Sequence, residues 1–371
     1  MRKFDIVDNT DNLEFLASYK LPVYQGCVEN NKFEEDTILD IIFDVGVNTG
    51  MIQIRNLLDL NIVYQENHNP GTVGNTWKNH HDSFCKFITK YNPNKIIEIG
   101  GGHGILSKNY IKHNPNINWT IIDPHTSKDL TVNVINEFYD ENTKLDGDVD
   151  IVIHSHLLEH IYNPSKFFES LSQLNNGTKL LFSVPNLKEQ LKLKYSSALS
   201  FEHVYLCSEE YIEYWLKLFG FYILEKQFYG ESHSIFYSCV KENKQQYNIK
   251  IPNNYLENKS IFNKYLEYQL QYINKLNLLD KTNVYLFGAC INSQFLLANG
   301  LNDKNIICII DNDIKKHGKR LYGTKLFVNS PNILRKESNP IIILQKMAYS
   351  FEIKQDILQN INSQAIFLDE I

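Results

Sequence analysis

One stretch constrains this chain more than any other: Lys95-Ile96-Ile97-Glu98-Ile99-Gly100-Gly101-Gly102-His103-Gly104, a β-branched strand that carries an acidic residue and ends on alternate glycines. Gly100, Gly102 and Gly104 allow a tight turn and let backbone approach a ligand where a Cβ would collide, and Ile105 to Ile111 reads as the helix that follows. Such a junction is a nucleotide cradle. Its rhythm is E-x-G-x-G-x-G, not the G-x-G-x-x-G of a dinucleotide site. One helix later, Trp119-Thr120-Ile121-Ile122-Asp123 is a short apolar strand ending in a carboxylate. At the tip of the second strand of a doubly wound fold, a carboxylate accepts both hydroxyls of a ribose. The alternative for Asp123 is a solvated residue opening the turn Asp123-Pro124. The order and spacing of the two motifs carry the first reading.

At 371 residues the chain exceeds the usual size of one core, so two or three units are expected. A net charge of -6 provides no field to draw the whole protein onto nucleic acid. No apolar run approaches the roughly 20 residues needed to cross a bilayer, and Met1-Arg2-Lys3-Phe4-Asp5 leads into polar residues, so no membrane association and a cytoplasmic location are expected. Cys27, Cys85, Cys207, Cys239, Cys290 and Cys308 are scattered without a C-x-x-C pair, which suits reduced thiols better than a disulfide framework or a zinc site.

Alternating strands and helices follow from residue 82. The strands are expected over Ile96 to Ile99, Thr120 to Ile122, Asn133 to Ile135, Ile151 to His154, Lys179 to Val184, Tyr222 to Gln227 and Ser234 to Val240, forming a mostly parallel sheet covered on both faces. Residues 1–81 lack this alternation and read as a small N-terminal cap. Residues 82–245 form the central domain, 246–281 a polar linker and a helix with Phe262, Leu266, Leu270, Ile273 and Leu276 on one face, and 282–371 a second α/β unit. That unit imitates a dinucleotide fold: Gly288 follows a strand and Asp311 ends the next one. Cys290 and Ser293 stand where further glycines belong, so a structural or homodimer-forming role is preferred to a second nucleotide site.

The glycine motif with Asp123 closely resembles the first motifs of class I methyltransferases that use S-adenosyl-L-methionine, and His156-Leu157-Leu158-Glu159-His160 resembles their segment after the fourth strand. Over nearly its whole length the chain resembles the nucleotide-sugar C-methyltransferase family, whose members join a small zinc domain, a central methyltransferase domain and a C-terminal Rossmann-like domain; Tyr285 to Ala289, Ile309 to Asp313, Lys316 to Lys319 and Gly323 look like the third of these. The resemblance implies a seven-stranded Rossmann-like domain between a cap and a second α/β Rossmann-like domain. It also implies S-adenosyl-L-methionine as cofactor, with Glu98, Gly100, Gly102, Gly104 and Asp123 at its core and His156 and Leu157 as its wall. Tyr64, His68, Gly71 and Thr72 resemble a loop that in relatives folds over the cofactor.

Methyl transfer needs a positioned base more than covalent help. His203, in Ser200-Phe201-Glu202-His203-Val204-Tyr205, is the candidate, with Glu202 or another carboxylate raising its basicity; the alternative is that His203 packs against the following helix. Tyr205 and His233 are candidates for the substrate pocket or are ordinary loop residues. Glu159 and His160 read as a helix start, because neighbours on a helix diverge and no third ligand is spaced to join them in a metal site.

Two departures from the family bear on chemistry. Cys27 alone lies where the family has its zinc cysteines, so no metal is expected. Ser200-Phe201 stands where the family has Tyr-His, and loss of that phenol weakens C-methylation, which needs an enolate stabilised. O-methylation of a sugar or nucleotide-linked sugar of surface-polysaccharide biosynthesis is therefore favoured, with C-methylation of a ketosugar or a non-catalytic cofactor-binding assembly protein as alternatives.

Overall fold

Ile96, Ile97 and Ile99 put apolar side chains on both faces of residues 95–99, and the strand they form, β1 (Lys95–Ile99), is buried from Ile96 onward in the middle of a mixed sheet. The computed structural model describes residues 1–64, 74–140, 143, 145, 148–230, 232–242, 249–279 and 282–368. The remaining strands of this sheet are β2 (Asn118–Ile122), β3 (Asn133–Ile135), β4 (Ile151–Ser155), β5 (Lys179–Pro185), β6 (Phe221–Tyr229) and β7 (Ser234–Lys241). Their order is β6-β7-β5-β4-β1-β2-β3. Neighbours from β5 to β3 pair in parallel, and β7 runs antiparallel to both β5 and β6. The chain reverses its direction of travel across the sheet between β1 and β4, which opens a crevice beyond their carboxyl ends.

The N-terminal residues are more regular than expected. Leu13–Pro22, Ile38–Gly46 and Ile52–Ile54 form a three-stranded antiparallel sheet. Its period of two is visible in Ala17, Tyr19 and Leu21, which are buried, against exposed Ser18 and Lys20. The helix expected from Asp82 begins earlier, spanning Asn75–Thr89, and so crosses the boundary drawn at residue 81.

A third sheet holds five parallel strands in the order Val328–Asn329, Ile306–Ile310, Val284–Phe287, Ile341–Ile343 and Ile366–Leu368. The helix before it, Tyr255–Asn277, touches all three units. Asn258 donates to the Gly50 carbonyl, Gln269 to that of Lys194 and Tyr272 to that of Leu368. Its buried face comprises Phe262, Tyr265, Gln269, Tyr272, Ile273 and Leu276, whereas Leu270 is exposed. All six cysteines are free, and no helix among the described residues is long and apolar enough to cross a membrane.

A buried ion pair fastens the N-terminal segment to the C-terminal unit. Cys27–Val28 pairs with Arg320–Leu321, and the Arg320 guanidinium, 1% exposed, grips both carboxylate oxygens of Asp36. Removing one partner of such a pair strands the other in low dielectric. Arg320→Met should therefore lower unfolding free energy by about 3–5 kcal/mol in urea denaturation; a loss below about 1 kcal/mol would make the clamp dispensable.

Candidate active site

The turn after β1 is held in a conformation that side chains resist. Gly100, Gly102 and Gly104 have φ of 74°, 50° and 66°, in the left-handed region open to glycine. A Cβ on Gly100 would meet Leu157 at 2.8 Å and one on Gly104 would meet Leu130 at 2.4 Å, while one on Gly102 would meet no protein atom within 4 Å. Gly102 thus leaves room for a ligand, whereas Gly104 answers a packing need and does not line the cavity described next. Asp123 fixes the turn: one carboxylate oxygen accepts the Gly102 N–H at 2.9 Å and the other the His125 N–H at 2.7 Å. Each oxygen keeps a further lone pair for a ribose hydroxyl. Glu98 lies behind the turn, 3% exposed, accepting the Trp119 indole N–H at 2.9 Å. Burial pushes its carboxyl up to about 7.

A cavity of about 690 Å³ opens beyond the carboxyl ends of β1 and β4, a size typical of small-molecule sites. Gly100, Gly102, Asp123 and Glu98 line one end, and His156, Leu157, Glu159, His160, Glu202 and His203 line another part of its wall. The third sheet's unit contributes Asn292, Lys316, Met347 and Tyr349, and the helix Asn75–Thr89 contributes Trp77 and His81. Apart from Lys316, none of these last residues carried a motif; they are brought in by tertiary packing. The Trp77-His80-His81 spacing, which puts rings on neighbouring faces of one helix, was the available signal.

Most predicted site residues meet here. Leu157 touches the glycine turn, and His156 takes a positive φ of 51° beside it. Tyr64 lines the wall, its hydroxyl 2.6 Å from His160 Nδ1. His233 lines it too, with Nδ1 2.6 Å from Ser234 Oγ. His68, Gly71 and Thr72 lie outside the described residues. Tyr205 is a correction: it is fully buried away from the cavity, its hydroxyl donating to the Leu158 carbonyl at 2.6 Å, because its segment bridges to Gln53 of the N-terminal sheet. Phe201 is buried as well.

The basicity expected of His203 is also corrected. Its Nδ1 sits 3.0 Å from the Ser197 carbonyl and 3.3 Å from that of Ala198, so backbone carbonyls orient the ring. Burial lowers its pKa to about 4, which keeps the imidazole neutral. Burial pushes the carboxyls of Glu202 and Glu159 up to about 8.

Glu159 does not start an α-helix. Leu158–His160 is a single 3₁₀ turn, and the helix Pro164–Leu171 begins later, capped by Asn163. Both Glu159 oxygens are buried without a hydrogen-bond partner. His156 Nδ1 and His160 Nε2 approach Oε1 only to 3.6 and 3.7 Å, too far for a hydrogen bond. Contrary to the spacing argument, His203 does join the Glu-His pair: one ligand-type atom from each of Glu159, His160 and His203 lies within 4.8 Å of the others, as do those of His80, His156 and His233. The insertion after β5 folds back over the 3₁₀ turn, a long-range contact that spacing along the chain does not encode.

In the C-terminal unit, Asp311 accepts the Ala289 and Asp313 N–H groups and pairs with Lys316 at 3.3 Å. Its charge is committed internally, which disfavours a second ribose site there.

Residues 78–226 match the family model described as a methyltransferase domain. No curated protein matches the chain. Among solved structures it is similar to the S-adenosylmethionine-dependent methyltransferase SibL in its apo form (14% identity over 45% of this chain and 55% of that one, TM-score 0.37). It is also similar to human N-acetylserotonin methyltransferase in complex with SAM (17%, 45% and 53%, TM-score 0.37) and to an S-adenosylmethionine-dependent methyltransferase from Clostridium acetobutylicum (14%, 45% and 92%, TM-score 0.35). The chain spans about half the length of the first two. The match to that methyltransferase model spans the glycine turn and Asp123, and the open space at Gly102 beside Asp123 fits S-adenosyl-L-methionine.

Two glycine variants should separate binding from stability. Gly102→Ala is expected to cost about 1–2 kcal/mol of stability from its left-handed φ and to weaken cofactor binding in calorimetry by about tenfold or more. Gly104→Ala should instead destabilise by roughly 2–4 kcal/mol through the clash with Leu130. Equal effects of the two on both readouts would contradict the geometry. Glu98 predicts a pH effect. Its folded pKa lies above the unfolded value, so its contribution to stability is complete below about 4.5 and is lost as pH rises through about 7. Glu98→Gln should remove a fall on the order of 3 kcal/mol from the pH–stability curve of the cofactor-free protein; superimposable curves would refute it.

Proposed function

We propose that this chain methylates an oxygen of a polar small molecule, a sugar or nucleotide-linked sugar of surface-polysaccharide biosynthesis, with His203 receiving the acceptor's proton. The observation that carries the reading is one continuous cavity lined by Gly102 and Asp123 and by the Glu159–His160–His203 cluster. When bound, S-adenosyl-L-methionine supplies an electrophilic methyl group on a sulfonium. Gly100, Gly102 and Asp123 hold it, with Leu157 and His156 as its wall and Glu98 buttressing the turn. Donation of the His203 Nδ1–H to the Ser197 carbonyl leaves Nε2 as the proton-accepting atom. The neutral imidazole takes the hydroxyl proton as the acceptor oxygen becomes the nucleophile. A sugar acceptor suits a site whose far wall offers Asn292, Gln190, Tyr195 and Lys316 among apolar residues. We read 82–245 as the methyltransferase unit, 1–81 as a cap, 246–281 as the connecting helix and 282–371 as a Rossmann-like unit that closes the acceptor side.

A second reading, C-methylation of a nucleotide-linked ketosugar, has one observation in its favour. The Tyr64 phenol in the cavity wall is a donor able to serve an enolate oxygen in place of the one absent at Phe201.

His203→Ala is expected to leave S-adenosylmethionine affinity within about twofold and to lower turnover by about 10²–10⁴-fold, read as S-adenosylhomocysteine released over a panel of nucleotide sugars. Asp123→Ala should instead weaken the cofactor itself. Full turnover in His203→Ala would remove this residue from the mechanism, and binding without turnover on any acceptor would favour an assembly protein.

A further inference from the structure

We propose that Glu159, His160 and His203 form a divalent-cation site whose open coordination positions face the cavity and take oxygen atoms of the acceptor. This rests on the reading of the cavity as an acceptor site and narrows the acceptor to molecules presenting two neighbouring oxygens, as a vicinal diol does.

Four observations support it. The three side chains bring one ligand-type atom each to within 4.8 Å of the others, and an ion bound at about 2.1 Å needs donors about 3–3.5 Å apart, a closure that side-chain rotation supplies. Glu159 is fully buried and neither of its oxygens has a hydrogen-bond partner; an isolated carboxyl of this kind is costly unless something is meant to meet it. The His203 ring is held from behind as a ligand would be: with its Nδ1–H donated to the Ser197 carbonyl at 3.0 Å, Nε2 is its ligand atom, and His160 Nε2 already lies 3.7 Å from Glu159 Oε1. All three residues line the cavity, so an ion there would be reachable by substrate.

The donor set of two imidazoles and one carboxylate suits a first-row divalent ion and leaves several positions open. The other group, His80, His156 and His233, is the weaker candidate. It contains no anion, and His156 Nε2 and His233 Nδ1 both lie against Ser234 Oγ, at 2.8 and 2.6 Å. With the ion in place, His203 Nε2 is a ligand and not a proton acceptor: a hydroxyl bound to the ion is acidified and releases its proton to water, leaving the alkoxide as the nucleophile.

Full-length protein stripped with EDTA and titrated with Co²⁺ alone should bind one ion per chain, read by calorimetry and by visible absorption bands of the cobalt. Glu159→Gln and His203→Ala should each weaken this binding by about tenfold or more, while His80→Asn leaves it unchanged; circular dichroism and S-adenosylmethionine affinity check that each variant is folded. The inference is overturned if folded wild-type protein takes up no Co²⁺, if uptake survives Glu159→Gln combined with His203→Ala, if His80→Asn abolishes it, or if EDTA-treated protein turns over undiminished. S-adenosylmethionine binding without Co²⁺ binding would sink the cation site and leave the methyltransferase reading intact; Co²⁺ binding without S-adenosylmethionine binding would do the reverse.

Discussion

The Asp123 carboxylate, at the end of β2, accepts the Gly102 N–H and so ties the turn after β1 to its neighbouring strand. Two backbone bonds complete the hold, from the Gly100 N–H to the Ile122 carbonyl and from the Gly104 N–H to the Gly101 carbonyl, both at 2.9 Å. Glu98 and Leu157 pack around a left-handed turn fixed in this way. The same acidic residue is therefore both the structural brace of the loop and the candidate ribose acceptor, which one carboxylate with four lone-pair sites can be at once.

Burial governs the other end. Glu159 and Glu202 have carboxyls pushed up to about 8, and His203 an imidazole lowered to about 4, all by desolvation. Burial thus holds these three groups toward their neutral forms. Arrival of a cation, whether a sulfonium or a metal ion, favours the carboxylate forms and so couples binding to proton release. The wall is completed by Lys316, Asn292 and Tyr349 from a unit that has no intact glycine fingerprint, and this gives that unit a use in the site that does not require a nucleotide of its own.

Local motifs were legible in the sequence and long-range contacts were not. The seven strands of the central sheet lie within two residues of where their apolar runs end, and the turn chemistry of Gly100 and Gly102 follows from their positions alone. The N-terminal sheet was missed although Ala17, Tyr19 and Leu21 alternate and Asn48-Thr49-Gly50 makes a turn between its last two strands, because the long irregular stretch from Val23 to Thr37 separates its first two. Tyr205 was misplaced because its strand-like segment pairs with Gln53, far away in sequence. The Glu159–His160–His203 cluster was invisible for a similar reason: an insertion after β5 returns His203 to a turn after β4. His80, buried on a helix that leads into the sheet, had a spacing signal in Trp77 and His81 that points to one cavity wall only once the fold is known.

The most direct test of this account is a crystal structure of the full chain with S-adenosylhomocysteine. The account predicts the ribose hydroxyls against Asp123, the adenosyl moiety over Gly100 and Gly102, and the sulfur turned toward the part of the cavity that holds His203. Density in the C-terminal unit beside Asp311, with the glycine turn empty, would contradict it.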